Sequence, residues 1–475
     1  MDEADPRDAR IAQLEAELAK ARASIAGLKQ QLAEALATIA ELRARLGQNS
    51  RNSNKPPSSD GPGVKRERKE PTGRKPGGQP GHKGHRRELL PPQKVDEVVA
   101  VQPKGCSRCG GALEHREDGP AAWRHQVVEL PEVKPRVTEY QLRYGHCARC
   151  EVWTQAQLPP GVPSGAFGPR LTAVVALMTG RLRLTKRLVR EFLSSVLGVE
   201  VALGSISKLE RSMSAALRAP VEEARAYVRE ALSVNADETS WREKLKKAWL
   251  WVAATALVVV FIIHPERSGK AARQLLGEDF VGFVGSDRWS GYNWVDINLR
   301  QVCWAHLRRD FQKWVDRGGA AKPLGRALLG QTKKLFELYH QWRDGPLPRP
   351  AFQARMREVE TAVARLLRKA RVCPDQKVAG MAEAILQVEP ALWAFVHMEQ
   401  VEPTNNRAER ALRPAVCMRK GSFGTHSAEG SRYLERILTA VTTLQQQQRN
   451  VLDYLTDAMV AHLHGQAAPS LLPSS

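Results

Sequence analysis

The chain has 475 residues, with 72 Lys+Arg against 51 Asp+Glu and a formal net charge of +21. Aliphatic and aromatic residues make up 42% of it, enough for several cores, which excludes wholesale disorder. The charge calls for an acidic partner, nucleic acid first and an anionic membrane surface second.

Residues 1–47 read as a coiled coil. Ile11, Leu18, Ile25, Leu32, Ile39 and Leu46 repeat every seven residues, and Leu14, Ala21, Leu28, Ala35 and Leu42 fill the other seam position. Such a zipper predicts a homo-oligomer, a modest one because alanine holds two seam positions. The leading MDEADPRDAR is acidic, the reverse of a secretory signal. Residues 48–95 then change to a basic Pro/Gly-rich linker. Its stretch 51–87 holds 11 basic and 3 acidic residues, a composition that buries little apolar surface and suits an arm following phosphates.

Residues 96–158 read as a small zinc-ribbon-like domain. Cys106 and Cys109, then Cys147 and Cys150, form two CxxC knuckles, and four thiolates suit a structural tetrahedral Zn²⁺. The intervening HQVVEL and PRVTEYQLRYG are expected strands. Cys303, Cys373 and Cys417 lack CxxC partners and are expected in cores. This usage implies a reducing cytosol.

Residues 165–230 are helical in pattern and basic, 9 against 3 between Phe167 and Pro220. A helix, a turn at Gly198 and a second helix capped by Ser205 give a helix-turn-helix-like domain, whose Ser205, Ser207 and Lys208 would meet DNA. From residue 231 the pattern shifts to strands: LSVNADETSW, KAWLWVAAT, LVVVFIIHP, VGFVGSDRW and RQVCWAH, with AARQLLGEDF a helix before the fourth. The longest apolar run, Ala248–Ile263, has 16 residues. It falls short of the ~20 needed to span a bilayer and predicts two adjacent buried strands, with no membrane span. Residues 313–399 are helical, a helix capped by Thr404 or Asn405 follows, and 431–463 form a last helical pair. The expected α/β domain is therefore 231–425 with a helical insertion at 313–399, followed by a C-terminal helical segment 426–475.

Asp237 closes SVNAD and Asp287 closes VGFVGSD, each at the end of an apolar strand. Carboxylates there are costly unless a cation uses them. Glu409, one turn into the helix after the insertion, could meet them. Three such carboxylates suit Mg²⁺ or Mn²⁺, and two ions about 3.5–4 Å apart would clamp an in-line phosphoryl displacement. Glu238, Asp279, Asp296 and Asp310 are equally acidic alternatives on spacing alone, and Glu409 could instead pair with Arg413 four residues on.

The ordered motifs NSNKPPSSD, GGQPGHKG, the CxxC pairs, ADETSW, WLWVAAT, GSDRWSGY, CWAHLRRDF, TNNRAERALRP and MRKGSFG resemble those of insertion sequence 66 family transposases over nearly the whole chain. The resemblance implies a ribonuclease-H-like DDE catalytic domain, with Asp237, Asp287 and Glu409 as its catalytic, metal-binding carboxylates. It implies cutting at the terminal inverted repeats of an element, joining of 3′-hydroxyls to target DNA, a place in the bacterial cytoplasm at the nucleoid, and small accessory proteins as possible partners. Relatives often carry Gly-Tyr after the second Asp, where this chain has Arg288-Trp289 and keeps Tyr292 further on. His306 matches a family motif, and with Arg407, Arg410, Arg413, Arg419 and Lys420 it makes a candidate DNA-contacting set. A non-catalytic DNA-binding protein would use the zipper, arm and cysteines equally well, and a metal-dependent nuclease without strand transfer would use the same carboxylates.

Overall fold

The fold comes from a computed structural model that describes residues 6–46, 87–114 and 123–473. Most of the basic linker therefore lies outside the described residues. Residues 87–114 and 123–136 belong to one compact unit, and 6–46 and 137–473 to another.

Helix α1, Pro6–Leu46, runs unbroken through the heptads. Leu18, Ile25, Leu28, Leu32, Ile39 and Leu42 of its seam are each 45–64% exposed, an apolar stripe left open on the single chain. In the smaller unit Cys106 sits in a tight knuckle. Its N–H donates to Gly111 O, and Gly110, at φ 73°, donates to Cys106 O. Cys147 and its neighbours in the larger unit repeat the pattern, with N–H bonds from Cys147 to Val152 O and from Glu151 to Cys147 O. The second knuckle is carried by a short antiparallel hairpin, β1 (Tyr144–His146) and β2 (Trp153–Gln155). The strands expected at HQVVEL and over most of PRVTEYQLRYG do not form. Their alternating apolar residues, among them Val127, Val128 and Val137, are exposed, and a strand needs a ladder partner as well as β propensity.

The helical segment comprises α2 (Pro169–Ala176), continued by a π-helical turn Leu177–Arg181, then α3 (Lys186–Leu197), α4 (Leu203–Ala216) and α5 (Arg218–Arg229). Gly198 closes α3 in the left-handed region at φ 62°, as a C-terminal glycine should. The expected Ser205 cap is not the start of α4. That helix begins two residues earlier with Ala202 as N-cap, and the neighbouring Ser207 accepts a 2.7 Å bond from Lys186 Nζ of α3.

Five strands form one sheet: β3 (Ser233–Glu243), β4 (Lys246–Ala254), β5 (Val259–His264), β6 (Phe283–Ser286) and β7 (Arg300–Val302), in the order β5-β4-β3-β6-β7. The first three are antiparallel neighbours, while β6 and β7 are parallel to β3. Helix α6 (Gly269–Leu276) makes the crossover to β6. The long apolar run is β4 and β5 with their turn, both nearly wholly buried, and no described helix is long and apolar enough to cross a membrane. The fifth predicted strand is cut short at Val302 because Trp304 already starts helix α7 (Trp304–Arg317).

The insertion adds α8 (Ala321–Arg343), α9 (Arg349–Arg371), α10 (Gln376–Leu386) and the short α11 (Ala394–His397) around a core of its own. Helix α12 (Asn406–Ser422) then returns to the sheet, followed by α13 (Ala428–Gln446) and α14 (Val451–Leu463). These last helices share one hydrophobic core with the sheet and with α2, α4 and α5. Helix α13 also serves the outer edge of β5. Glu435 Oε1, Thr439 Oγ1 and Thr443 Oγ1 accept the N–H groups of Ile263, Phe261 and Val259 at 2.6, 3.0 and 3.0 Å. Four helical residues rise ~6 Å and two strand residues ~6.6 Å, so a four-residue polar repeat matches every second N–H of a strand. An edge that could template aggregation is thereby closed.

Candidate active site

Asp237 lies in β3 opposite Val252, and Asp287 follows β6 directly. Because β3 and β6 are parallel neighbours, the two carboxylates emerge at the same end of the sheet. Glu409 enters from the first turn of α12. That helix start is fixed by backbone contacts: buried Asn405 reaches Ala236 O at 3.5 Å, Trp304 N donates to Pro403 O, and Cys303 N donates to Ser286 O. The middle of β3, the end of β6 and the starts of α7 and α12 are thus tied together.

Burial holds the Asp237 carboxyl well above the usual carboxylate range, reinforced by the charge of Glu238 and then by Glu409 and Asp287. Crowding of like charges in this way is a sign of a cation site. Partner assignments then separate the acidic alternatives. Glu238 is locked between Arg267, at 2.6 Å, and the Tyr292 hydroxyl, which donates to it at 2.9 Å. Asp310 is held by Arg288 at 2.6 Å and Lys313 at 2.8 Å. Asp296 caps a short 3₁₀ turn through the N–H of Asn298, and Asp279 is exposed in a turn. Asp237 and Asp287 accept only backbone N–H groups, those of Glu238 and Trp289, and neither has an ion-pair partner among the described residues. Among the described residues Glu409 does not pair with Arg413; its ion-pair contact is with His306, whose Nδ1 lies 3.7 Å from Oε1.

His306 is kept toward its neutral form by burial, then by Arg309, and its Nδ1 is buried without a hydrogen-bond partner. Cys303, His306 and Glu409 bring ligand atoms within 4.8 Å of one another. Burial pushes the Cys303 thiol up to about 11, so it is a neutral neighbour of the carboxylates. Beside them opens a cleft of about 530 Å³, lined by Asp287, His306 and Trp289 and by the cations Arg267, Arg309 and Lys313. Arg309 makes no ion pair among the described residues. Sequence reasoning missed Arg267, Arg309, Lys313 and the Glu238–Tyr292 bond, because their value lies in who faces whom and no motif spacing signals it.

The basic candidates on α12 divide. Arg407 is bound to Glu402 at 2.9 Å, and Arg419 to Thr239 Oγ1 at 3.0 Å and to Ser240, so both act as struts. Arg410, Arg413 and Lys420 are exposed.

Residues 164–433 match the model of the Transposase IS66 family, more than half of the chain. The chain belongs to the IS66 transposase family. A second match, over residues 2–88, is to a family of unknown function. The relatives of this IS66 member include two uncharacterized proteins of Sinorhizobium fredii (strain NBRC 101917 / NGR234). Y4qI is 25% identical over 308 residues, covering 58% of this chain and 56% of its own length. Y4hP is 22% identical over 407 residues, covering 77% of this chain and 71% of its own.

One stability prediction follows from the carboxylates. A raised carboxyl value contributes stability that is fully present below its ordinary value of 3.8 and is lost as the pH rises through the raised value. In metal-free protein at neutral pH, Asp237→Asn should therefore raise stability, on the order of 0.5–2 kcal/mol, as relaxed functional residues do. Thermal melts check this: added Mg²⁺ should raise the melting temperature of the parent chain and leave that of Asp237→Asn nearly unchanged.

Proposed function

We propose that this chain is a DNA transposase whose Asp237, Asp287 and Glu409 form a DDE site for phosphodiester cleavage and strand transfer. The observation that carries the reading is the partner assignment: among neighbouring acids, Glu238 and Asp310 are neutralised by cations, whereas Asp237 and Asp287 are left for an external one. Hard carboxylate oxygens fit Mg²⁺ or Mn²⁺. Two such ions, when bound, would activate a water or 3′-hydroxyl nucleophile and stabilise the leaving oxygen. The protein's own part is to hold three carboxylates on β3, after β6 and on the first turn of α12, and to offer Arg309 of the cleft, with Arg410 and Arg413 of α12, to the phosphates of the strand being cut. The sheet order, with antiparallel β5-β4-β3 continued by parallel β6 and β7, supports a ribonuclease-H-like reading.

The remaining segments fit the same task. Each CxxC knuckle presents two thiols of the kind that bind structural Zn²⁺. Backbone N–H groups of Arg108 and Cys109 lower the Cys106 thiol, and those of Cys150 and Arg149 lower Cys147, which favours the thiolate that zinc binds. Helices α3 and α4 with the basic arm would grip the terminal inverted repeats. Two element ends require at least two protomers, and the open seam of α1 supplies the pairing surface. Ile25→Lys with Leu32→Lys should reduce the molar mass in sedimentation to that of one chain, with the melting temperature of the sheet unchanged.

The test is Mg²⁺-dependent cutting of a duplex carrying the inverted repeats that bracket the gene, alongside strand transfer from pre-cut ends. Cutting without transfer would make it a nuclease, and binding without either would make it a DNA-binding protein alone.

A further inference from the structure

The hairpin joining β3 to β4 and the loop leaving α12 form a surface that the carboxylate site does not use. We propose that it is a second DNA-contact surface, in which Phe423 and Leu245 act as an apolar wedge at a base step while surrounding cations hold the flanking phosphates. The proposal rests on the reading that this chain handles DNA and adds where and how it does so.

Phe423 ends α12 at φ 61° and ψ 0°, the left-handed position that favours glycine, and is nevertheless a phenylalanine 73% exposed. A bulky residue kept in this conformation with its ring in solvent has no packing reason to be there. The loop is not loose. Thr425 N donates to Arg242 O at 2.9 Å, Lys244 N donates to Thr425 O at 2.7 Å, and Trp241 Nε1 donates to Thr425 Oγ1 at 3.3 Å. Gly424, at φ 129°, passes so close to the hairpin that an added Cβ would lie 2.1 Å from Arg242 O, so the backbone is clamped on both sides of the ring. Across from Phe423, Leu245 stands at the hairpin tip, 91% exposed.

The two apolar tips share a concavity of about 720 Å³ with the cations Arg242, Lys247 and Lys420, and the strut Arg419 forms part of its wall. Lys244 and Lys246 of the same hairpin are also exposed. The hairpin's one acid, Glu243, accepts the Ser431 hydroxyl at 2.6 Å and is outnumbered by Arg242, Lys244, Lys246, Lys247 and Lys420, so the local field stays positive. Rigid Phe and Leu tips rimmed by cations match the chemistry of side chains that partly unstack a duplex step while Lys and Arg neutralise its backbone. A protein partner with an acidic apolar face would meet the same charges, but would gain nothing from a ring held in a glycine conformation.

The test uses the full chain carrying Asp287→Asn, to prevent cutting, and a duplex a few helical turns long taken from the DNA flanking the gene, with 2-aminopurine at successive steps. The parent should bind and brighten one step or a few adjacent ones. Phe423→Gly should abolish the brightening and weaken binding roughly 5- to 150-fold. Its melting temperature should not fall, since glycine suits φ 61° better than phenylalanine. Lys247→Ala and Lys420→Ala should each lower the salt slope of binding by about 1 with little effect on fluorescence at low salt. Unchanged affinity and brightening in Phe423→Gly and in Leu245→Ala would overturn the wedge alone. A parent that binds no duplex would overturn the DNA reading as well.

Discussion

Asp287→Asn is expected to reduce Mg²⁺-dependent cleavage by at least about a thousandfold, on the order of 4 kcal/mol of transition-state stabilisation, while duplex affinity changes less than about threefold. Among the described residues Asp287 Oδ1 accepts only the Trp289 N–H, so an amide oxygen can keep that bond and the loop geometry with it. What the substitution removes is the negative charge directed at a cation. Asp310→Asn is the informative control. Its carboxylate is already held by Arg288 and Lys313, so its loss should perturb the cleft wall and reduce cleavage far less. Cleavage measured on end-labelled duplex, with binding measured on the same preparation without metal, separates the two. If Asp287→Asn kept cleavage within tenfold of the parent, the DDE assignment would fail.

The second large effect concerns the fold that carries those acids. Thr439→Val should destabilise the sheet by about 1–3 kcal/mol, because a nearly isosteric methyl leaves the buried Phe261 N–H without its acceptor. Thr443→Val should cost at least as much, since that hydroxyl both accepts from Val259 N and donates to Val259 O. Each kcal/mol should appear as roughly 2–4 °C in the melting temperature of a domain of this size. Thr361→Val is the matched control. Its hydroxyl bonds a carbonyl within its own helix on an exposed face, and its effect should stay within about 0.5 kcal/mol. Equal melting of Thr439→Val and the parent would mean that the β5 edge does not depend on α13. The prediction also bears on function: β5 and β4 brace β3, and β3 carries Asp237.

Much of this was readable along the chain. Val, Ile and Trp runs of strand length, bounded by turns, gave five strands at close to their observed positions. Heptad spacing marked α1, and the glycine at 198 marked the close of α3. The errors have a common form. HQVVEL has the composition of a strand but no partner edge, RQVCWAH ran a strand into what α7 takes over at Trp304, and Ser205 looked like a cap but stands inside α4. In each case a local signal was overruled by where a neighbour lies.

The sequence by itself determined the order and type of elements and the placement of Asp287 at a strand end, because hydrophobic periodicity and strand length are local properties. Asp237, expected to close its strand, lies within β3, which runs on to Glu243 because β4 pairs with it that far. Tertiary structure alone decided which acids are free. Glu238 follows Asp237 immediately and is equally acidic, yet Arg267 neutralises it and the Tyr292 hydroxyl donates to it. Arg407 and Arg419 are as cationic as Arg410 and Arg413, yet the protein itself occupies them. Charge is written in the sequence, whereas what meets each charge depends on the fold, with partners as near as 3 and as far as 180 positions away. The +21 of the whole chain therefore announces an acidic partner, while the fold sets aside the carboxylates a metal could use and the cations left for DNA.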